Sequence, residues 1–257
     1  MERSPALVGY YTIIRKEFVN MTRIWTQTLL PPVITMSLYF AIFGTFIGSQ
    51  VAPIHGHSYI QYIVPGLVMM AIITSAYMHT VFSFYFAKFL RTIEEILVSP
   101  MPTWAVIAGF VTGGVMRATI VGILVIAVSL FFTHIAVFNI LVIFAAAFLT
   151  ALLFAFGGLI NGVFAKSFDA VNIVPTFVLT PLTYLGGVFY SIDQLPPFFR
   201  TLSLFNPILY MVNAFRYGFL GVSDVPMWLA FSVMGGLTVV AFVLTLFLFI
   251  RGVGVKH

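Results

Sequence analysis

The chain has 257 residues, of which 61% are hydrophobic and 7% charged, and it contains no cysteine. A soluble domain carries about a quarter of its residues as charges, so the polar surface here is too small for a water-soluble body and the implied solvent is lipid. Without cysteine, disulfide frameworks, zinc–thiolate clusters and cysteine nucleophiles are excluded, and the formal charge of +5 has meaning only through where Lys and Arg fall.

In chain order, residues 8–25 come first. Tyr10, Ile13, Ile14, Phe18, Met21 and Trp25 recur at helical spacing with Arg15, Lys16, Asn20 and Arg23 between them. This is the pattern of an amphipathic helix lying in a membrane interface. The first long apolar run starts only near residue 26, behind four basic residues, so no cleavable signal peptide is expected.

Six runs are long enough to span a hydrocarbon core, which takes about 20 apolar residues in a helix: 27–47, 60–86, 104–132, 138–164, 171–189 and 226–250. They are continuous rather than alternating, which argues against a barrel. The fold expected is an all-α integral membrane protein of six spans, organised as one membrane domain: residues 1–25 as tail and interfacial helix, 26–250 as the membrane part and 251–257 as a second tail.

Between the first two runs, His55 and His57 flank Gly56 with no carboxylate nearby in sequence, a pattern expected of a solvated turn and not of a metal site. The stretch after the second run is the most charged of the chain: Lys88, Arg91, Glu94 and Glu95, ending at Ser99-Pro100. Thr92 and Glu95 have capping-box spacing. Leu90, Ile93 and Leu97 share a face with Ile96 beside them, and Pro100 and Pro102 stop the helix. A short amphipathic helix is predicted there.

The third run contains Arg117, about 20 Å along its helix at 1.5 Å rise per residue. A guanidinium in the hydrocarbon costs at least ~2.5 kcal/mol, so it is expected to face protein or water, with helix-end carbonyls or a tyrosine hydroxyl as partners. His79 in the second run is expected to be packed or hydrogen-bonded. In the fourth run Ala147, Ala151, Ala155, Gly158 and Gly162 make a stripe of small residues suited to close helix packing. Residues 191–221 are too short and too broken to span. Asn206 can cap and Pro207 can start a helix, so two re-entrant half-helices are expected before the last span.

Positive charge sets orientation. Arg3, Arg15, Lys16, Arg23, Lys88, Arg91, Lys166, Arg251 and Lys256 fall on one side, and Arg200 and Arg216 on the other. Both termini are therefore expected in the cytoplasm. No phosphate-binding G-x-x-x-x-G-K-[ST], H-E-x-x-H or G-x-S-x-G motif occurs. None of the seven carboxylates falls inside a predicted span, so ion coupling is disfavoured and the energy for any uphill transport must come from another polypeptide. A passive channel or facilitator, or a membrane-embedded lipid-modifying enzyme, stays open as an alternative.

The run Arg91-x-x-Glu94-Glu95-Ile96-Leu97-Val98-Ser99-Pro100 resembles the cytoplasmic loop of ABC-2 type transporter permeases. Pro175, Pro181-Leu182-Thr183-Tyr184-Leu185-Gly186-Gly187-Val188-Phe189-Tyr190, Leu195-Pro196, Asn206-Pro207, Tyr210, Arg216-Tyr217 and Leu220-Gly221 are similar to that family's later part. The resemblance implies a permease that is not itself an enzyme, paired with a second copy in a bacterial inner membrane and served by two cytoplasmic ATPase subunits. This chain would bind no cofactor or metal, ATP and Mg²⁺ belonging to the ATPase, and no nucleic acid. Lys88, Arg91, Glu94, Glu95, Leu97 and Ser99 would couple to the ATPase, and Tyr10, Ile14, Phe18 and Trp25 would belong to a connecting helix. Pro31, Tyr39, Phe177, Pro181, Tyr184, Gly186, Gly187 and Tyr190 would line the translocation path or the dimer interface. Export is the direction the resemblance implies. Arg117 remains a substrate-facing or structural residue.

Overall fold

The computed structural model describes residues 5–253, apart from the side chains of Pro5 and Leu97; Glu2, Arg3 and Lys256 lie outside the described residues. The fold is almost wholly helical, and the described residues form no strand beyond one isolated bridge between Ile54 and His57. In chain order the helices are α1 (Pro5–Arg23), α2 (Trp25–Ile47), α3 (Tyr59–Phe89), α4 (Thr92–Val98), α5 (Thr103–Ser129), α6 (Ile140–Phe164), α7 (168–184), α8 (Pro197–Leu204), α9 (Pro207–Leu220) and α10 (Met227–Ile250).

Five of them, α2, α3, α5, α6 and α10, are long and apolar enough to cross a membrane. The run expected at 171–189 is not among these. It forms α7, which is broken into an α-helical turn at Phe168–Val174, a π-helical stretch at Pro175–Leu179 and a last piece at Thr180–Tyr184. Pro175 opens the second piece and Pro181 falls in the first turn of the third, because proline offers no N–H to the preceding turn and its ring presses on the carbonyl there. After Tyr184 the chain turns through Gly187 at φ 70°. The first run is interrupted too: Leu29 separates a short turn from a helix with Pro31 and Pro32 in its first turn, and Phe40–Ile47 winds as π-helix.

Helix α3 is the axis of the bundle and is buried along most of its length. Its start is fixed by a capping box, Ser58 with Gln61, whose side-chain oxygen accepts from the Ser58 N–H at 3.1 Å. Thirty-one residues rise about 46 Å, well beyond a hydrocarbon core of about 30 Å. Helices in lipid gain no hydrophobic energy from touching each other, so packing depends on close approach. At Gly158 of α6 a Cβ would lie 2.5 Å from the Tyr77 carbonyl oxygen of α3; at Gly114 of α5 a Cβ would lie 3.0 Å from the Ala76 carbonyl and 3.1 Å from Ala155 of α6. The small-residue stripe of α6 therefore lies against α3, as its spacing predicts.

The cap expected at Asn206 is present. Its Oδ1 accepts from the Ile208 N–H at 3.0 Å, Pro207 is the first helical residue, and Gly221 ends α9 in the left-handed conformation at φ 73°. Helix α9 is buried nearly throughout. The ends of α3, α6 and α10 meet beside Lys88, Val163 and Val253, which puts them at the same end of the bundle as α4.

Candidate functional site

At the α4 end, Arg91 takes φ 58°. This left-handed residue turns the chain sharply out of α3 and into α4, and it is exposed. The capping box expected from Thr92 and Glu95 does not form. Arg91 occupies the cap position without a side-chain bond, and the Thr92 hydroxyl donates instead to the Ala87 carbonyl at 3.2 Å. Ile93 is buried at 3%, whereas Leu90 is exposed at 65%, because Leu90 precedes the turn and does not share the helix face. Glu94 and Glu95 are both exposed. The Ser99 hydroxyl donates to the Ile96 carbonyl at 2.5 Å and closes the helix. Leu97 has no described side chain.

Lys88 is placed differently from its neighbours. Its ammonium donates to the carbonyls of Val163 at 2.6 Å, Gly162 at 3.2 Å and Ala165 at 3.3 Å. These are the unpaired carbonyls at the end of α6, and a cation there also answers the helix dipole. All three ammonium donors are used, so Lys88 fastens the base of the α4 loop to α6.

Helix α1 packs on α5 with Ile13 at Gly109, Glu17 at Gly113 and the Tyr10 hydroxyl 3.0 Å from the Thr112 hydroxyl. The buried face is Ile13, Glu17 and Met21. Phe18 and Trp25, expected on it, are exposed at 46% and 54%, and Ile14 is half-buried. A hydrophobic count favours Phe18, but the face that meets α5 runs through residues spaced four apart from Ile13, and Glu17 is one of them.

Glu17 lies in α1, outside every predicted span, and is nonetheless buried. It is 2% exposed. The Ser83 hydroxyl donates to its Oε1 at 2.6 Å, His79 Nε2 lies 3.0 Å from its Oε2, and Lys16 Nζ lies 3.6 Å from Oε1. Burial pushes this carboxyl up, but the His79 contact and then Ser83 and Lys16 outweigh it and hold the group below the usual carboxylate value. His79 is thus the packed residue its position in the second run predicts. Between α1 and α4 runs an apolar groove of about 540 Å³, lined by Val8, Thr12, Ile13, Glu95, Ile96 and Met101 among others.

Arg117 donates to the Thr28 carbonyl at 2.8 Å, a partner of the kind expected. Its depth needs correction. Thr28 is at the very start of α2, so Arg117, four turns into α5, sits level with the beginning of the first long apolar helix. Distance along a helix does not equal depth when that helix runs on past its neighbours.

At the far end, the expected path residues of α2 and α7 converge through aromatic rings. Tyr39 and Tyr184 hydroxyls lie 3.4 Å apart, the Tyr184 ring stacks on Phe189 at 5.9 Å, Phe43 lies 4.8 Å from Phe189, and the Tyr190 hydroxyl donates to the Tyr184 carbonyl at 3.1 Å. Gly186 is buried because a Cβ there would lie 2.8 Å from Ile208. Phe177 is exposed at 74%, and Pro31 and Pro181 are exposed with it, on the uncovered faces of α2 and α7.

Two further buried charges are not visible from spacing. Arg216 is fully buried, not a loop charge. It donates to the Gly187 carbonyl at 2.6 Å and the Tyr62 carbonyl at 3.3 Å and stacks 3.9 Å above the Tyr62 ring. Asp224 accepts from the Ser191 hydroxyl at 2.8 Å, the Ile192 N–H at 3.3 Å and the Tyr62 hydroxyl at 3.5 Å. Tyr62 therefore links the two charges. The signal was an arginine inside an apolar helical run, which ordinarily marks a functional or tightly partnered site. His55 Nε2 lies 3.5 Å from Asp224, and with Asp193 the three offer donor atoms within 4.8 Å of one another. Asp193 is also held by Arg200 at 2.9 Å, so these groups tie three loops together through bonds already made.

The long apolar helices, with a charged loop helix at one end and a proline-broken helix facing the first, form a membrane-embedded bundle. The chain belongs to the ABC-2 type transporter family, whose profile matches residues 9–220. It is 54% identical to the inner membrane transport permease YadH of Escherichia coli K12 over 97% of each chain, and 24% identical to nodulation protein J of Rhizobium leguminosarum bv. viciae over 83% of each. It is a multi-pass inner membrane protein of the permease class.

Proposed function

We propose that this chain is the membrane subunit of an ATP-driven exporter, coupled through α4 to a separate cytoplasmic ATPase that binds ATP and Mg²⁺. The observation that carries the reading is the Arg91 turn: it holds Ile93 against the bundle while Glu94 and Glu95 project outward beside the α1 groove. A short helix with acidic tips beside an apolar groove suits a protein partner.

In this reading α7 is the sixth span. Its 17 residues rise about 25 Å, close to the ~30 Å of a hydrocarbon core. Arg15, Lys16, Arg23, Lys88, Arg91, Lys166 and Arg251 gather at the α4 end, which by the distribution of positive charge is cytoplasmic, and both termini are assigned to the cytoplasm with them. Helix α1 is the interfacial connecting helix, and α8 and α9 are the re-entrant pair. Two copies meet along the uncovered faces of α2 and α7, where Pro31, Phe177 and Pro181 lie, and the path runs between them past Tyr39, Tyr184 and Tyr190.

Glu94→Lys with Glu95→Lys tests the coupling. The double variant should fold and insert, lose most ATPase co-purification, and stop export. Full co-purification with full export would remove α4 from the mechanism, and transport that persists with the ATPase inactivated would make the chain a facilitator.

A further inference from the structure

A cleft separates α2 from the body of the bundle, and Arg117 stands in the middle of it. Its wider chamber, about 520 Å³, lies beside α1 and is lined by Lys16, Glu17, Arg23, Thr28, His79 and Arg117 among others. A second chamber of about 370 Å³ lies between α2 and α3, lined by Gln27, Thr35, Met36, Met70, Ser75 and Met78 among others. Arg117 and Phe82 line both.

The charges in the first chamber are unbalanced. Lys16, Arg23 and Arg117 face one carboxylate, Glu17, whose oxygens are already engaged by Ser83, His79 and Lys16. Among the described residues neither Arg23 nor Arg117 has a carboxylate within ion-pair distance. Arg117 uses one donor on the Thr28 carbonyl, and its Nε is buried with no partner. A guanidinium is a planar fork of five donors that matches phosphate oxygens in pairs, and leaving its buried donors unused is costly. The second chamber shares Arg117 and Phe82 with the first and is lined by Met36, Met70 and Met78, adaptable apolar side chains that suit an acyl chain beside a headgroup.

We propose that this cleft binds an anionic phospholipid from the leaflet next to α1. The phosphate sits on Arg117 with Lys16 and Arg23 around it, and a chain lies along Met36, Met70 and Met78. A zwitterionic headgroup would bring its own cation into a chamber with excess positive charge, so the site discriminates against it. The second chamber is also lined by Pro31 and Tyr39, which the proposed function places at the dimer face and the path; the charged chamber around Arg117 stands apart from that reading.

The test is lipid retention by the purified full chain, read by native mass spectrometry and by thermal stabilisation in detergent. The probes are phosphatidylglycerol, phosphatidylcholine and inorganic phosphate. Wild type should retain phosphatidylglycerol about tenfold better than phosphatidylcholine, and Arg117→Gln should lose about tenfold of that retention, the value of a charge-assisted hydrogen bond. Arg117→Lys, keeping charge without the fork, should fall between. If Arg117→Gln does not purify folded, Arg23→Gln at the exposed rim decides, with a several-fold loss expected. Equal retention of the two lipids, or unchanged preference in the variant that decides, overturns the proposal. Stabilisation by inorganic phosphate equal to that by phosphatidylglycerol overturns the lipid assignment in favour of a free-anion site.

Discussion

Glu17→Gln removes one charge from the contact that fastens α1 to the bundle. The native carboxylate is 2% exposed, accepts from Ser83 at 2.6 Å and faces His79 at 3.0 Å. Glutamine keeps one oxygen for Ser83 but turns an amide N–H₂ or a single weaker acceptor toward His79. Removing one member of a buried, paired set costs about 3–5 kcal/mol when the other is left without a counterpart; the retained Ser83 bond puts this change at the lower end, about 3 kcal/mol. At about 2–4 °C per kcal/mol for a chain near this size, the unfolding midpoint in detergent should fall by about 6–12 °C. The assay is thermal unfolding of Glu17→Gln, His79→Gln and the double variant. The two single losses should exceed their combined loss, with a coupling of about 1–3 kcal/mol. A midpoint within ~1–2 °C of wild type, or strictly additive losses, would refute the idea that this contact docks α1.

The same contact sets a pH dependence. The folded-state value of Glu17 lies below the ordinary carboxylate value, so its contribution is complete above that ordinary value and is lost as pH falls through the folded one; the midpoint of wild type should drop in that acid range while Glu17→Gln shows a flatter profile. Arg216→Met strips the partner from the Gly187 carbonyl and from the Asp224–Tyr62 link and should cost about 3–5 kcal/mol. Adding Asp224→Asn should cost less than the sum of the two, measured by the same melts. Gly158→Leu drives a Cβ into the Tyr77 carbonyl at 2.5 Å, which is backbone and cannot yield without separating α3 from α6, so the yield of folded protein by size-exclusion chromatography should collapse.

The sequence alone determined that the chain is a lipid-solvated bundle of helices, where five of the long helices lie, how α9 is capped, and which face of α6 packs closely. These are local matters: a backbone in lipid must bond within its own helix, and runs of apolar residues, Asn206-Pro207 and the spacing of small residues carry that information along the chain. Only the tertiary structure decided the partners of the charges. Glu17 meets His79 and Ser83, Lys88 caps α6, Arg117 reaches Thr28, and Arg216 is buried between Tyr62 and Gly187, each across two or more helices. A charge in an apolar run announces that it needs a counterpart. Which counterpart it finds depends on which helices pack together and how far each runs past the next, and neither is written in the local sequence.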